Sequence, residues 1–65
     1  MKVKYIGKSQ GISLTENKIY EALGYEHGFV RVVDDTDEDY LYEPSSFIPA
    51  DREAEQLFVD ESIKK

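Results

Sequence analysis

A chain of 65 residues with 14 acidic and eight basic side chains, and a formal charge of −6, is short and acidic. A domain of this size buries only about 60% of the surface that its unfolded chain exposes, so the core is expected to be small. The absence of cysteine excludes disulfide bonds and cysteine-based metal sites. The first residues contain no long apolar run, which predicts neither a signal peptide nor a membrane span. We therefore expect a cytoplasmic protein.

Short apolar runs separated by turn residues predict a small all-β domain. The first four predicted strands, in chain order, are residues 3–6, 19–26, 29–33 and 40–43. Residues 8–17 are rich in Ser, Gly, Thr and Asn and are expected to form a long ordered loop. Gly24 indicates a bulge or bend inside the second strand. The pair His27-Gly28 indicates a tight hairpin turn, because glycine tolerates positive φ angles.

The pattern changes after residue 43. Pro44-Ser45-Ser46 predicts a single 3₁₀ turn, followed by a short fifth strand at Phe47-Ile48 that ends at Pro49. Residues 1–49 would then form one domain, and residues 50–65 a C-terminal tail that is partly helical or disordered. Asp51 is a candidate N-cap for that helix. We expect the tail to be dispensable for folding of the strands.

The tail carries a short apolar stripe at helical spacing, formed by Ala54, Leu57 and Phe58. This stripe would either dock on the sheet or close a homodimer. The sequence is therefore compatible with a monomer or with a weak homodimer formed through the tail.

Alternation along the strands predicts which side chains fill the core. Around Arg31 it places Val30 and Val32 on one face and Phe29 and Val33 on the other. The complete predicted core is Val3, Ile6, Leu14, Tyr20, Ala22, Val30, Val32, Leu41 and Ile48.

Two segments carry a resemblance to a known family. Phe29-Val30-Arg31-Val32 is similar to the Trp-Trp-x-Ala segment of SH3 domains, and Pro44-Ser45-Ser46-Phe47-Ile48 to their Pro-Ser-Asn-Tyr-Val segment. The resemblance covers residues 2–48 and is nearest to small stand-alone bacterial SH3-like proteins of unassigned function. It implies a small five-stranded SH3-like β-barrel.

The resemblance also implies a ligand groove, but it does not support the family's ligand class. Phe29, Pro44 and Phe47 would take the groove positions, and Tyr5 would match the first tyrosine of the Ala-Leu-Tyr-Asp-Tyr motif. Phenylalanine lacks the N–H and O–H donors of tryptophan and tyrosine, and the loop before Glu16 has no acid to pair a ligand arginine. We therefore expect weak or no binding of PxxP peptides.

The segment 34–43 contains six acids and no base, and it alone accounts for the net charge. Asp35-x-Asp37-x-Asp39 begins like a calcium loop, but Tyr40 and Ser46 occupy the positions that need Gly and Glu. A solvated turn, or a negative patch for a basic partner, fits this segment better than a metal site.

Catalytic chemistry is not expected from this sequence. His27 has no Cys, Ser or second His partner in a recognisable pattern, and the four glycines form no phosphate-binding motif. Few lysines and arginines are available for a phosphate-binding surface, which disfavours direct nucleic-acid binding. We predict no catalytic residue, no metal and no cofactor.

The function predicted from these features is that of a non-enzymatic protein-interaction module with an acidic, tyrosine-rich surface. An alternative is an acidic decoy that occupies a nucleic-acid-binding protein, because concentrated negative charge can imitate a row of phosphates. The predicted partner-binding residues are Tyr5, Phe29, Asp35, Asp37, Asp39, Tyr40, Tyr42, Pro44 and Phe47.

Overall fold

The computed structural model describes the backbone of residues 1–63 and the side chains of residues 1–58. The strands are β1 (Lys2–Tyr5), β2 (Ile19–Glu26), β3 (Phe29–Val33), β4 (Asp39–Tyr42) and β5 (Phe47–Pro49). A 3₁₀ turn covers Pro44–Ser46, and one α-helix, α1, covers Arg52–Ile63. The sequence therefore predicted every strand to within one residue at each end. The last two residues of the predicted tail lie outside the described residues.

All five strands belong to one antiparallel sheet with the order β4-β3-β2-β1-β5. Closure into a barrel requires hydrogen bonds between the two outermost strands. Within the described residues, β4 and β5 are the two edges and do not pair with each other. The predicted closed barrel is therefore wrong: β4 pairs with β3 and β5 with β1, and the Phe47 N–H is donated to Pro44 while Pro49 has no N–H, so β5 lacks these donors for a bond to β4.

Two predicted irregularities shape the hairpin between β2 and β3. The register shifts between Ala22 and Gly24, and Gly24 has a φ of 151°, as the predicted bulge requires. His27 and Gly28 have φ angles of 54° and 84°, and they connect the paired residues Glu26 and Phe29. Positive φ at both central residues is the signature of a type I′ turn, whose twist matches that of the strands.

The core lies on one face of the sheet, called here the inner face. Predicted core residues Val3, Leu14, Tyr20, Ala22, Val30 and Val32 are all buried. Alternation therefore identified the inner face of β1, β2 and β3 correctly, and β3 presents Phe29, Arg31 and Val33 on the opposite, outer face.

Three predicted core residues are wrong. Ile6, Leu41 and Ile48 are 44%, 38% and 43% exposed, and their neighbours Tyr5 and Phe47 are buried instead. Leu41 pairs with Arg31 and Ile48 pairs with Lys4, which places both on the outer face. The error is a register error of one residue, which in a strand moves a side chain to the other face.

Helix α1 packs on the inner face of the sheet. Asp51 Oδ1 accepts a hydrogen bond from the Ala54 N–H at 2.9 Å, which confirms the predicted N-cap. Asp51 Oδ2 accepts a second bond from the Lys2 N–H at 2.8 Å. Ala54 is fully buried, and the Phe58 ring meets the Tyr25 ring edge-on at 5.5 Å. The apolar stripe of the tail is thus used within the chain.

The only α-helix among the described residues is this one. Within residues 1–63 no helix has both the length and the apolar character needed to cross a membrane.

Candidate functional site

The structure distributes the nine predicted partner-binding residues over three environments. Phe29, Asp37, Asp39 and Tyr40 are exposed. Asp35, Tyr42 and Pro44 are half-buried, while Tyr5 and Phe47 are buried in the core.

The predicted aromatic groove is not formed on the surface. The Tyr5 and Phe47 rings lie 5.3 Å apart inside the core, and the Tyr5 hydroxyl donates to the Lys8 carbonyl at 2.6 Å. Phe29 lies on the outer face of β3, whereas Phe47 lies on the inner face of β5. These side chains therefore cannot contact one ligand together.

Asp35, which follows β3, stabilises the long loop that connects β1 and β2. Its carboxylate accepts hydrogen bonds from the Tyr20 hydroxyl and the Thr15 hydroxyl, each at 2.8 Å, and forms an ion pair with Lys18. The Asp35 N–H also donates to the Ser13 carbonyl. The bond from Lys18, followed by those from Tyr20 and Thr15, lowers the pKa of Asp35 below its ordinary value. This acid is structural.

Asp34 plays a similar part inside the turn between β3 and β4. It is buried, and its carboxylate accepts hydrogen bonds from the Tyr42 hydroxyl at 2.6 Å and from the Thr36 N–H at 2.9 Å. Burial alone would raise the pKa of Asp34, but these bonds outweigh burial and lower it. Burial and the bond to Asp34 raise the pKa of Tyr42. The Asp34–Tyr42 bond ties the start of the turn to the end of β4.

A third acid is engaged on the outer face. Arg31 donates to Glu26 at 2.7 Å and to Asp39 at 3.0 Å, so it bridges the strands on either side of β3. Of the six acids in residues 34–43, Asp34, Asp35 and Asp39 thus have side-chain partners on β4, β2 and β3, respectively.

The remaining acids form an exposed group around β4. Glu38 accepts a hydrogen bond from the exposed Tyr40 hydroxyl at 2.8 Å. The carboxylates of Asp37 and Glu43 are outside the hydrogen bonds and ion pairs found among the described residues. Asp37 has a φ of 66°, a left-handed conformation that aspartate tolerates well. We call Asp37, Glu38, Asp39 and Glu43, together with Tyr40 and Leu41, the acidic edge.

The backbone of β4 has hydrogen-bonding groups that point away from the sheet. The Asp34 N–H donates to the Glu38 carbonyl at 3.0 Å, and in an antiparallel ladder bonded and non-bonded pairs alternate from there. The pairs Val33–Asp39 and Arg31–Leu41 are then non-bonded pairs. The N–H and C=O groups of Asp39 and Leu41 therefore face the open side of β4.

The backbone of β5 differs at the corresponding positions. The Ile6 N–H donates to the Ser46 carbonyl and the Ala50 N–H to the Lys2 carbonyl, each at 2.8 Å, which leaves Phe47 and Pro49 facing outward. The Phe47 N–H is already donated to the Pro44 carbonyl inside the 3₁₀ turn. Pro49 has no N–H. The outward side of β5 thus offers no N–H donor.

The described side chains form no cluster of three or more His, Asp or Glu residues that could hold a metal ion. The Asp35 carboxylate is bonded to Tyr20, which lies on the inner face of the sheet, whereas the Asp39 carboxylate is paired with Arg31 on the outer face, so the two carboxylates belong to separate groups. A depression of about 440 Å³ lies between Met1 and α1, next to Arg52 and Leu57. It contains none of the predicted site residues.

Comparison of the chain with protein-family models, curated proteins and solved structures gives no match. The candidate site therefore depends on geometry alone. Of the acidic edge, the predicted partner-binding residues contain Asp37, Asp39 and Tyr40. They omit Glu38 and Glu43, which were noted only as part of the acidic segment, and Leu41, which was assigned to the core. Val30 and Val32 face the core and pair with Tyr42 and Tyr40, so alternation along β4 places Leu41, which lies between these two tyrosines, on the outer face.

Proposed function

We propose that this chain is a non-enzymatic protein-interaction module that binds a basic, extended segment of another protein along the acidic edge. The observation that carries the proposal is the backbone of β4, where the N–H and C=O groups of Asp39 and Leu41 face the open side. Addition of a peptide strand to a sheet edge is a recurrent mode of recognition, in which main-chain hydrogen bonds supply affinity and alternate side chains supply selectivity.

The negative charge around this edge favours a positively charged partner. Asp37, Glu38 and Glu43 are exposed, and residues 34–43 contain no base. Complementary charge steers association and disfavours wrong partners. A strand with lysine or arginine at alternate positions would meet these carboxylates.

Two half-exposed side chains add apolar contact. Tyr40 is 50% exposed and Leu41 is 38% exposed, and as successive residues of a strand they flank the open edge on opposite faces. An added strand would cover both. Tyrosine in particular supplies a large contact area at low conformational cost.

The acidic decoy is the less favoured alternative. Four of the six acids hold hydrogen bonds or ion pairs within the chain, which leaves the carboxylates of Asp37 and Glu43 unengaged instead of a continuous row of negative charge. A decoy should lose its partner steeply as salt rises, whereas a strand held by main-chain bonds should weaken less.

We also propose that the sheet is an open form of the SH3-like arrangement. The order of elements supports this: a strand, a long loop at residues 6–18, three consecutive antiparallel strands, a 3₁₀ turn and a short last strand.

The test is a titration of ¹⁵N-labelled protein with an octapeptide that alternates lysine with valine and threonine. We expect amide shifts confined to β4 and its flanking turn. A peptide with glutamate in place of lysine is the matched ligand control, and it should not bind.

Substitutions at Leu41 separate the backbone contribution from that of the side chain. Leu41→Pro removes an outward N–H, which edge strands tolerate, while Leu41→Ala keeps it. Because an unmade hydrogen bond costs about 1–3 kcal/mol, Leu41→Pro should bind roughly tenfold or more weakly, and Leu41→Ala much closer to wild type. Equal binding by both variants, or amide shifts centred on β5, would contradict strand addition at β4.

A further inference from the structure

The outer face of the sheet exposes more apolar surface than an antiparallel sheet facing water usually does. Alternation normally gives such a face polar side chains. Here six large apolar side chains on this face, or continuing it beyond β1, are at least 38% exposed: Ile6, Ile19, Leu23, Phe29, Leu41 and Ile48. Lys4 pairs with both Ile19 and Ile48, so the isoleucines flank it on β2 and β5.

The charges of the outer face balance. Its strands carry three cations (Lys2, Lys4 and Arg31) and three anions (Glu21, Glu26 and Asp39), in a chain whose net charge is −6. Lys2 pairs with Glu21 at 3.0 Å, and Arg31 pairs with Glu26 and Asp39. In the part of the chain that the structure describes, Lys4 has no ion-pair partner.

This balance distinguishes the outer face from the rest of the surface. Two copies of an acidic chain repel each other through surfaces that share its negative charge. The acidic edge would therefore oppose a second copy, and the apolar stripe of α1 is already used at Ala54 and Phe58. The outer face combines apolar area with no net charge, so a second copy can approach it without that repulsion.

We propose that two copies of this chain associate through their outer faces, with Ile19, Ile48 and Lys4 in the contact. Two sheets stack face to face about 10 Å apart when their side chains interdigitate.

The size of the face sets the strength of this association. The five strands lie about 4.8 Å apart, which gives the face a width of roughly 24 Å. Each strand is about five residues long at roughly 3.3 Å per residue, which gives a length of roughly 17 Å. That projected area is roughly half of the 800 Å² per partner that a stable complex buries. The dimer is therefore weak, with an expected dissociation constant in the high micromolar range, and it leaves the outward backbone of each β4 accessible.

Sedimentation velocity of the full chain over a series from micromolar to millimolar concentration tests the proposal. We expect the wild type to shift toward the mass of a dimer. Ile19→Lys and Ile48→Lys should remain monomeric through the same range. Ile12→Lys is the matched control, because Ile12 is 81% exposed but lies in the long loop, and it should associate as the wild type does.

Every outcome bears on the proposal. A wild type that is monomeric at millimolar concentration overturns it and leaves the outer face to a different apolar partner. If Ile12→Lys and Ile48→Lys weaken dimer formation equally, the proposal is overturned as well, because the added positive charge would then act irrespective of its position. Loss of the dimer in Leu57→Ser but not in Ile48→Lys would assign the contact to α1. Amide spectra of each variant establish that it is folded.

Discussion

The two edges of this sheet deal with unpaired backbone in opposite ways. β5 is three residues long, donates its Phe47 N–H to a 3₁₀ turn and ends at a proline. β4 keeps the N–H groups of Asp39 and Leu41 directed outward, and its protection is a group of carboxylates. Both short length with proline and charge are known devices against edge-to-edge aggregation.

The two devices differ in what they permit. Removal of the donors at β5 acts against every incoming strand, whatever its sequence. Negative charge at β4 acts against apolar and acidic strands, but it attracts basic ones. An edge without free N–H donors, such as β5, therefore disfavours pairing with any strand, whereas an edge protected by charge, such as β4, discriminates between strands by their charge.

The largest effect is expected at the buried anchor of β5. Phe47→Ala removes a ring that packs at 5.3 Å from Tyr5 and 6.1 Å from Tyr42, and a buried phenylalanine truncation costs about 3–5 kcal/mol. Ile48→Ala, one residue further along β5, should cost less than about 1 kcal/mol because Ile48 is exposed. Chemical denaturation measures both. Similar losses for the two variants would show that the register of β5 is wrong.

Acid should loosen the β4 side of the sheet before the β5 side. The pKa values of Asp34 and Asp35 are lowered in the folded chain, so their stabilisation is complete above the unfolded pKa near 4 and is lost as the pH falls through the lower folded values. Amide exchange and amide shifts measured from pH 7 to pH 2 should change first in β4 and in the long loop.

Asp35→Asn is the variant that checks the acid response. It removes the titrating group, so the long loop should be looser at neutral pH and change less on acidification. An unchanged acid response in this variant would show that the loop is held by other contacts.

A smaller effect is expected where α1 joins the β5 side. Asp51→Ala removes the N-cap of α1 and the acceptor for the Lys2 N–H, and loss of an N-cap typically costs about 1 kcal/mol. Asp51→Asn keeps an oxygen for the cap and should cost less. Thermal unfolding of the two variants measures the difference. If neither variant lowers the unfolding temperature, α1 contributes little to holding β1.

The smallest change in folding stability, with a large change in association, is expected at the acidic edge. Asp37→Asn, Glu38→Gln and Glu43→Gln together neutralise three exposed acids, and exposed substitutions usually change stability by less than about 0.5 kcal/mol. In sedimentation experiments the triple variant should self-associate more strongly than the wild type, through β4, and addition of Leu41→Pro should remove this increase.

Three exposed acids elsewhere provide the matched control for that experiment. Glu16→Gln, Glu53→Gln and Glu55→Gln change the net charge equally but leave β4 untouched. This control should behave as the wild type does. Association stronger than that of the wild type in both triple variants would mean that net charge, and not the charge at the edge, opposes pairing of the β4 strands.

Local chemistry made much of this fold predictable. Alternation and β-branched residues predicted the strands, and Gly24 and His27-Gly28 predicted the bulge and the turn. The errors in the core came from Ile6, Leu41 and Ile48, which were assigned to the core because they are apolar, although the strand pairing leaves them exposed. Only the pairing of each strand with its neighbour shows which of two adjacent apolar residues faces the core.

The partners of the acids were not predictable in this way. Asp35 meets Tyr20 across 15 residues of chain, and Asp34 meets Tyr42 across eight. Nothing in the composition of residues 34–43 distinguishes a carboxylate that binds a tyrosine of the same chain from one that faces solvent. The sequence predicted the acidic surface but counted six available acids, of which only Asp37 and Glu43 lack a side-chain hydrogen bond or ion pair among the described residues.

The donor-free side of β5 sets a limit on assembly through strand pairing. In the language of polymer chemistry, a sheet that can join others at both edges is a bifunctional monomer, and it grows into a fibre. This sheet is monofunctional, because strands can be added at β4 alone. When two such edges join, the product has β5 at both ends, and chain growth terminates after a single step.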